Sequence, residues 1–247
     1  MTAFEDLANM IITGQHAGAA EWARTELDNG VGPGDIIDKG MIPGMDEIGR
    51  RWKDGEIHMP EVLIAARAMK ACMAVVQPLL TESGAEERGS VVIGTVKGDL
   101  HDIGKNLVGM MFEGAGFKLI DLGVDVDPEE FIFAAQENDA DIIALSGLLT
   151  TSMPEMEKAV EAIRDANESR NLNVKTMVGG PSINEEFAAK IGADGYSMDA
   201  PTAVDDARAF MAAAWFGSRM FRKSNEAMYR RVAFGLLCVA GIYGVAH

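Results

Sequence analysis

The sequence predicts a helical bundle joined to an α/β domain built on a doubly wound parallel sheet, and three observations predict it. Apolar residues keep helical spacing through the first eighty positions. A polar, glycine-bearing stretch at 81–90 (TESGAEERGS) then interrupts the pattern and reads as a linker. From residue 91 short apolar runs alternate with helical stretches, the pattern of strands buried on both faces of a parallel sheet.

The elements follow in order. Phe4, Leu7, Met10 and Ile11 keep one helix face, and Trp22 and Leu27 continue it after a break near Gly14. Gly30-Val-Gly-Pro-Gly34 reads as a loop. Met41, Met45, Ile48 and Trp52 form a further face, with Pro43 marking a first helical turn or a kink, and Asp54-Gly55 ends the run. Met59, Val62, Leu63, Ala66, Met69, Met73 and Val76 form the next face, with Pro78 near its end. About four helices result, and a bundle buries their stripes. Strands are expected at 91–96, 117–120, 141–145, 174–178 and 195–198, with helices at roughly 104–115, 128–138, 154–169, 184–191 and 201–213. The organisation is therefore 1–82 (helical), 90–213 (α/β) and 214–247 (tail). Ligands of such sheets sit beyond the carboxyl ends of the strands, which selects the loops at 97–105, 121–127, 146–153, 179–183 and 199–200.

Charge divides the chain differently. Residues 1–213 hold 17 basic and 37 acidic residues, net −20, whereas 214–247 hold five basic and one acidic, net +4. The acidic body argues against a nucleic-acid partner, since phosphates are neutralised by Lys and Arg. Two cysteines, Cys72 and Cys238, make no disulfide framework, and MTAFEDLANM has neither the basic nor the apolar region of a secretion signal, so the expected location is the cytoplasm.

Four histidines exist, His16, His58, His101 and His247. His101 lies in Gly98-Asp-Leu-His-Asp-Ile-Gly-Lys-Asn106, at the carboxyl end of the first expected strand, where its ring can meet a ligand above the sheet. Asp99 can accept the proton of the other ring nitrogen, a pairing that fixes the tautomer and raises the basicity of a metal-ligating imidazole. An isolated D-x-H is as readily a helix cap beside a solvated carboxylate. Its company speaks for more: Ser146-Gly-Leu-Leu-Thr-Thr-Ser152 follows the third strand and Gly179-Gly180 the fourth.

These pieces resemble the B12-binding module of the corrinoid proteins that serve methyltransferases, including the cobalamin domain of methionine synthase. Asp99-Leu-His-Asp-Ile-Gly104, Ser146-Gly-Leu148 and Gly179-Gly180 stand in the family's order and roughly its spacing. Gly40-Met-Ile-Pro-Gly-Met45, Gly49-Arg-Arg-Trp-Lys-Asp-Gly55 and Met59-Pro-Glu-Val62 resemble its cap bundle, so the likeness spans nearly all of 1–213. It implies a Rossmann-like, flavodoxin-like fold for the second domain and a cofactor, methylcobalamin or another corrinoid, with its cobalt. His101 would be the lower axial cobalt ligand, Asp99 would orient it, and Ser152 would extend the relay. Gly98, Leu100, Asp102 and Gly104 belong to the same loop. Ser146, Leu148, Thr150, Gly179 and Gly180 would line the channel for the nucleotide tail, with Ala200 a further contact. Trp52, Met59 and Val62 would cover the upper face, although such a stripe is as commonly bundle core. When a methyl group leaves cobalt, His101 would detach and its pair with Asp99 would hold a proton.

The resemblance implies a non-catalytic methyl-carrying subunit. It accepts a methyl group from a substrate-specific methyltransferase and passes it to a second one acting on tetrahydrofolate or a thiol; a reductive activase is a further expected partner. The donor, whether methanol, a methylamine, a quaternary amine or a methoxyarene, is selected by the partner. Rival readings are a B12-dependent mutase subunit, a cobalamin-sensing regulator, a detached piece of a methionine synthase, and an HD-type metal phosphohydrolase, whose signature His101-Asp-Ile-Gly-Lys105 also spells. The helical first eighty residues speak against the mutase, the acidic body against the regulator, and the lack of a zinc-type cysteine cluster or folate domain against the detached piece; the phosphohydrolase needs further metal-binding histidines. In the tail, Trp215, Phe216, Met220 and Phe221 alternate with Arg219, Arg222 and Lys223, and Arg230-Arg231 precede the apolar Val232–Ala246. That run falls short of the roughly twenty residues that span a bilayer. It reads either as a helix packed on the acidic body or as a docking segment for a partner or an anionic membrane.

Overall fold

The computed structural model describes residues 3–83, 88–170 and 172–223. The chain divides into Met1–Ala207 and Arg208–His247, and the strands and the candidate site lie in the first unit. The linker positions 84–87 and residues 224–247 of the expected docking segment lie outside the described residues, whereas its first part, 214–223, lies within them.

The helical part comprises α1 (Ala3–Ile12), α2 (His16–Asp28), α3 (Pro33–Ile36), α4 (Ile42–Lys53) and α5 (Met59–Ser83). A wide π turn, Ile37–Met41, joins α3 to α4, so the expected loop at 30–34 already enters a helix at Pro33. Pro43 is the cause we assign to the turn. It has no N–H for the regular ladder, and the Ile42 N–H reaches five residues back to the Ile37 carbonyl. Close packing of α1 on α4 depends on Gly44, where a Cβ would stand 3.0 Å from both the Ala8 carbonyl oxygen and Ile11 Cβ.

Helix α5 keeps part of the expected face. Val62, Ala66, Met69 and Val76 are buried, with Ala65, Ala68 and Cys72 beside them, whereas Met59 and Leu63 of that face are exposed and Met73 is half-buried. The buried stripe is therefore wider on its small-residue side than the apolar spacing suggests. Burial pushes the Cys72 thiol up to about 12, which leaves it inert.

The second part alternates β1 (Ser90–Thr95), α6 (Ile103–Gly114), β2 (Lys118–Asp121), α7 (Pro128–Glu137), β3 (Ile142–Ser146), α8 (Met153–Arg170), β4 (Lys175–Gly179), α9 (Glu185–Ile191), β5 (Gly195–Ser197) and α10 (Ala200–Lys223). All strand pairs are parallel, in the order β2-β1-β3-β4-β5. Local chemistry sets the helix ends. Asp127 and Glu130 form a capping box with Pro128 in the first turn of α7; Asn184 caps α9, and left-handed Gly192 ends it. Helix α10 runs on to Lys223, across the compositional boundary at 214.

Order 2-1-3-4-5 reverses direction between β1 and β3, and the crevice at that reversal opens at the carboxyl edge. Register aligns Thr95, Ser146, Gly179 and Ser197 across four strands at that edge, a row of small residues ending the apolar interior. Above α6, α4 packs through Met45, whose side chain comes within 2.9 Å of the place a Cβ on Gly114 would take.

Candidate functional site

The loop after β1 holds a carboxylate with no exposed surface. Asp99 is fully buried, and both its oxygens face donors. Oδ1 lies 2.7 Å from His101 Nδ1 and accepts the His101 amide at 3.1 Å. Oδ2 accepts the amides of Leu148 at 2.7 Å and Leu149 at 3.1 Å, and lies 3.0 Å from Ser152 Oγ. The Ser152 hydroxyl also lies 2.7 Å from the Leu149 carbonyl, so its one proton serves either acceptor. The carboxylate therefore ties the β1 loop to the β3 loop across the switch-point crevice.

Burial works to raise the Asp99 pKa. The His101 ring and the amides of His101, Leu148 and Leu149 outweigh it and hold the carboxyl well below its usual range. An ionised Asp99 keeps the proton on His101 Nδ1 and leaves the Nε2 lone pair outward. The His101 side chain is half exposed, at 51%, and only Nδ1 has a partner among the described residues. Thr95 Oγ1 anchors the loop from below by donating to the His101 carbonyl at 2.8 Å.

Around the imidazole the usual distribution of polarity is inverted. Leu100, Ile103 and Met198 are 72%, 71% and 75% exposed, and Leu148 and Leu149 are exposed beside them. All lie on the loops or first helical turn beyond β1, β3 and β5, so exposed apolar side chains collect along the same carboxyl edge of the sheet that carries His101. Gly98 and Gly104 leave open space where a Cβ would stand. An apolar macrocycle with a metal at its centre fits this arrangement: one nitrogen donor, oriented from behind, among apolar groups and open backbone.

The remaining predicted positions fall as follows. Asp102 precedes α6 and accepts from the Asn106 side chain at 3.1 Å. Thr150 is exposed on the 3-10 turn Thr150–Ser152. Ser146 and Gly179 lie side by side in register. Gly180, at φ +134°, is required by protein backbone: a Cβ there would stand 2.0 Å from the Gly147 carbonyl oxygen. Ala200 is buried at the start of α10 and Val62 is fully buried in the bundle, so neither has side-chain surface to offer a ligand. Trp52 is half-buried and Met59 43% exposed.

Sequence reasoning missed Thr95, Ser197, Leu149 and Asp125. The first two each end a strand in register with Ser146 and Gly179, a signal visible once strand ends are aligned. Leu149 acts through its backbone amide, which no side chain announces. Among the described residues no group of three or more His, Cys, Asp or Glu converges as a metal site, which separates His101 from the phosphohydrolase pattern.

Comparison with known proteins gives the following. Residues 89–205 match the family described as B12 binding domain, and residues 3–77 a second family of the same description. A corrinoid protein of Desulfitobacterium hafniense (strain Y51) is 38% identical over 208 residues, 83% of this chain and 95% of the relative. Dimethylamine corrinoid protein 1 of Methanosarcina acetivorans is 39% identical over 212 residues, 84% of this chain and 97% of the relative. Among solved structures, the methanol:cobalamin methyltransferase complex MtaBC from Methanosarcina barkeri includes a chain with TM-score 0.73 and 29% identity, covering 85% of this chain and 80% of that one.

Proposed function

The chain belongs to the B12-binding corrinoid proteins of methyltransferase systems, which bind a corrinoid and its cobalt, and from that premise we propose a specific role. It is a methyl carrier, loaded by a substrate-specific methyltransferase and unloaded by a second one acting on tetrahydrofolate or a thiol. A reductive activase serves it, and it works in the cytoplasm. The donor methyltransferase selects among methanol, methylamines, quaternary amines and methoxyarenes. A bound corrinoid supplies a cobalt that accepts and releases the methyl group.

The observation that carries this reading is the setting of His101: Nδ1 held by buried Asp99, the ring half exposed, and exposed Leu100 and Ile103 on the same stretch of chain. His101 Nε2 would be the protein's donor to the cobalt. Asp99 fixes the ring and keeps its proton on Nδ1, with the Leu148 and Leu149 amides and the Ser152 hydroxyl holding Asp99 in turn. The row of small residues Thr95, Ser146, Gly179 and Ser197, in register at the carboxyl edge, supports a nucleotide tail entering there. Trp52 and Met59 are the cap side chains with surface to cover a methyl group.

Reconstitution with hydroxocobalamin tests the proposal. Wild type should return with one corrinoid in the histidine-ligated form, and His101→Ala should give a base-off absorbance spectrum while retaining corrinoid. A wild-type protein that stays colourless after repeated reconstitution refutes it.

A further inference from the structure

The loop between β2 and α7, residues 122–127, runs alongside the His101 loop and is tied to it repeatedly. Thr95 donates its amide to the Gly123 carbonyl at 3.0 Å, and Val126 donates to the Thr95 carbonyl at 3.0 Å. Asp125 makes the contacts nearest the site. Its carboxylate accepts the Gly98 amide at 2.7 Å, and its own amide donates to the Asp99 carbonyl at 3.1 Å. One residue thus grips the Gly98–Asp99 segment at both its donor and its acceptor.

This grip needs an unusual backbone. Asp125 sits at φ +58°, in the left-handed region where Gly is the cheapest residue and Asp or Asn the tolerated ones. Gly123, two positions earlier, takes the same region at φ +82° with no side chain. A carboxylate at 125 therefore has a use that a turn alone does not demand. The root of the strap is fixed as well. Lys105, nearly fully buried, holds both oxygens of Asp121 at 2.6 Å, and Asp121 Oδ1 accepts the Gly123 amide at 2.9 Å.

We propose that Asp125 is a positioning residue for the Asp99–His101 pair: its side chain and amide together fix the peptide from which Asp99 turns inward, and so set the ring that faces the corrinoid. The inference rests on the proposed role of His101 as cobalt ligand. Asp125 itself is exposed and touches neither the ring nor the Asp99 carboxylate. Its loss should loosen the ring without exposing a core.

Three substitutions separate the side chain from the turn. Asp125→Asn keeps an acceptor oxygen and tolerates the backbone; Asp125→Gly keeps only the backbone; Asp125→Ala keeps neither. Each full-length variant is loaded with hydroxocobalamin, and the fraction in the histidine-ligated form is read from its absorbance spectrum beside the corrinoid Kd and the apo-protein Tm. Gly and Ala should both shift the spectrum toward the base-off form and weaken binding on the order of tenfold, the scale for groups behind a metal ligand. Asn should stay near wild type, and the Gly variant should keep a wild-type Tm. A Gly variant with the wild-type spectrum and affinity makes Asp125 a turn-former only and overturns the proposal, as does an Asn variant as impaired as Ala. In both cases a histidine-ligated wild type leaves the carrier reading intact. A wild type that takes up no corrinoid overturns both.

Discussion

In the helical bundle Val62, Ala65, Met69 and Val76 lie inside, while Glu47, Arg50 and Arg51 pair on the surface. The loop after β1 is arranged the other way round. Asp99 is fully buried, and its neighbour Leu100 stands 72% exposed. Burying an ionised carboxylate is unfavourable unless every lone pair is met, and exposing leucine forgoes the burial that stabilises a core. A fold accepts both within two adjacent residues where a ligand completes the packing. Most of the bundle's pattern is ordinary core and surface, with Met59, Leu63 and Ile64 as exposed exceptions; in the loop the inversion falls on adjacent residues.

That contrast predicts that the bundle governs stability and the loop governs the ligand. The largest stability loss is expected for Met45→Ala, a fully buried side chain wedged between α4 and α6. The cavity should cost about 2–5 kcal/mol. Chemical denaturation measures it, and the reconstituted variant should keep its histidine-ligated spectrum. A spectrum that shifts with the stability would break the comparison, because the bundle would then reach the ring.

Asp99→Asn should come next, with effects of both kinds. Donors face both carboxylate oxygens, so an amide must turn its NH2 toward one of them. Leaving a buried donor unsatisfied costs about 1–3 kcal/mol. The pH dependence has a definite sign. The folded-state pKa lies below the unfolded value of about 3.9, so the contribution of the ionised group is complete above that value and is lost as pH falls toward the folded one. The stability gap between wild type and variant should be constant at neutral pH and close only in acid. Without the carboxylate the ring loses the partner that orients it, so a smaller fraction of the reconstituted variant should take the histidine-ligated form. Identical absorbance spectra of the two reconstituted proteins would refute the relay.

Ser152→Ala should be milder. The Leu148 and Leu149 amides still meet Oδ2, and the lost hydroxyl contributes about 0.5–1.5 kcal/mol. A loss of the histidine-ligated form equal to that of Asp99→Asn would show that the hydroxyl, rather than the amides, holds the carboxylate.

Much of this was legible in the residues, for identifiable reasons. Short apolar runs located all five strands, most clearly β1, β3 and β4, whose interior residues are buried on both faces, and the D-x-H spacing placed Asp99 and His101 on one loop, two residues apart. What escaped depends on long-range register. Thr95 and Ser197 join Ser146 only when β1, β3, β4 and β5 align, and Asp125 meets Gly98 across 27 residues. Part of the α5 face escaped for another reason. Ala65, Ala68 and Cys72 pack inside beside the expected Val62, Met69 and Val76, while the larger Met59 and Leu63 are exposed, so size misled at those positions. The π turn before Pro43 left no periodic signal because it lasts five residues.

The smallest effect is expected from Glu47→Gln, and its smallness is informative. Arg50 and Arg51 hold the Glu47 carboxyl down to about 2, so by titration alone it resembles Asp99. The environments differ. Glu47 meets side-chain guanidinium groups at the surface, at 2.9 and 2.7 Å, where water and salt screen the pair and flexible partners can re-pair with Asp54 or Glu56. Asp99 meets fixed amides in the interior, which have no other acceptor to turn to. Glu47→Gln should therefore leave Tm at neutral pH unchanged in moderate salt, with the histidine-ligated spectrum intact. Any destabilisation should appear only at low ionic strength and above about pH 4.5, where the unfolded glutamate is ionised, and it should fade as pH falls toward 2. A loss at neutral pH and moderate salt matching that of Asp99→Asn would mean that a depressed pKa alone, and not burial against fixed donors, marks the residues on which this protein depends.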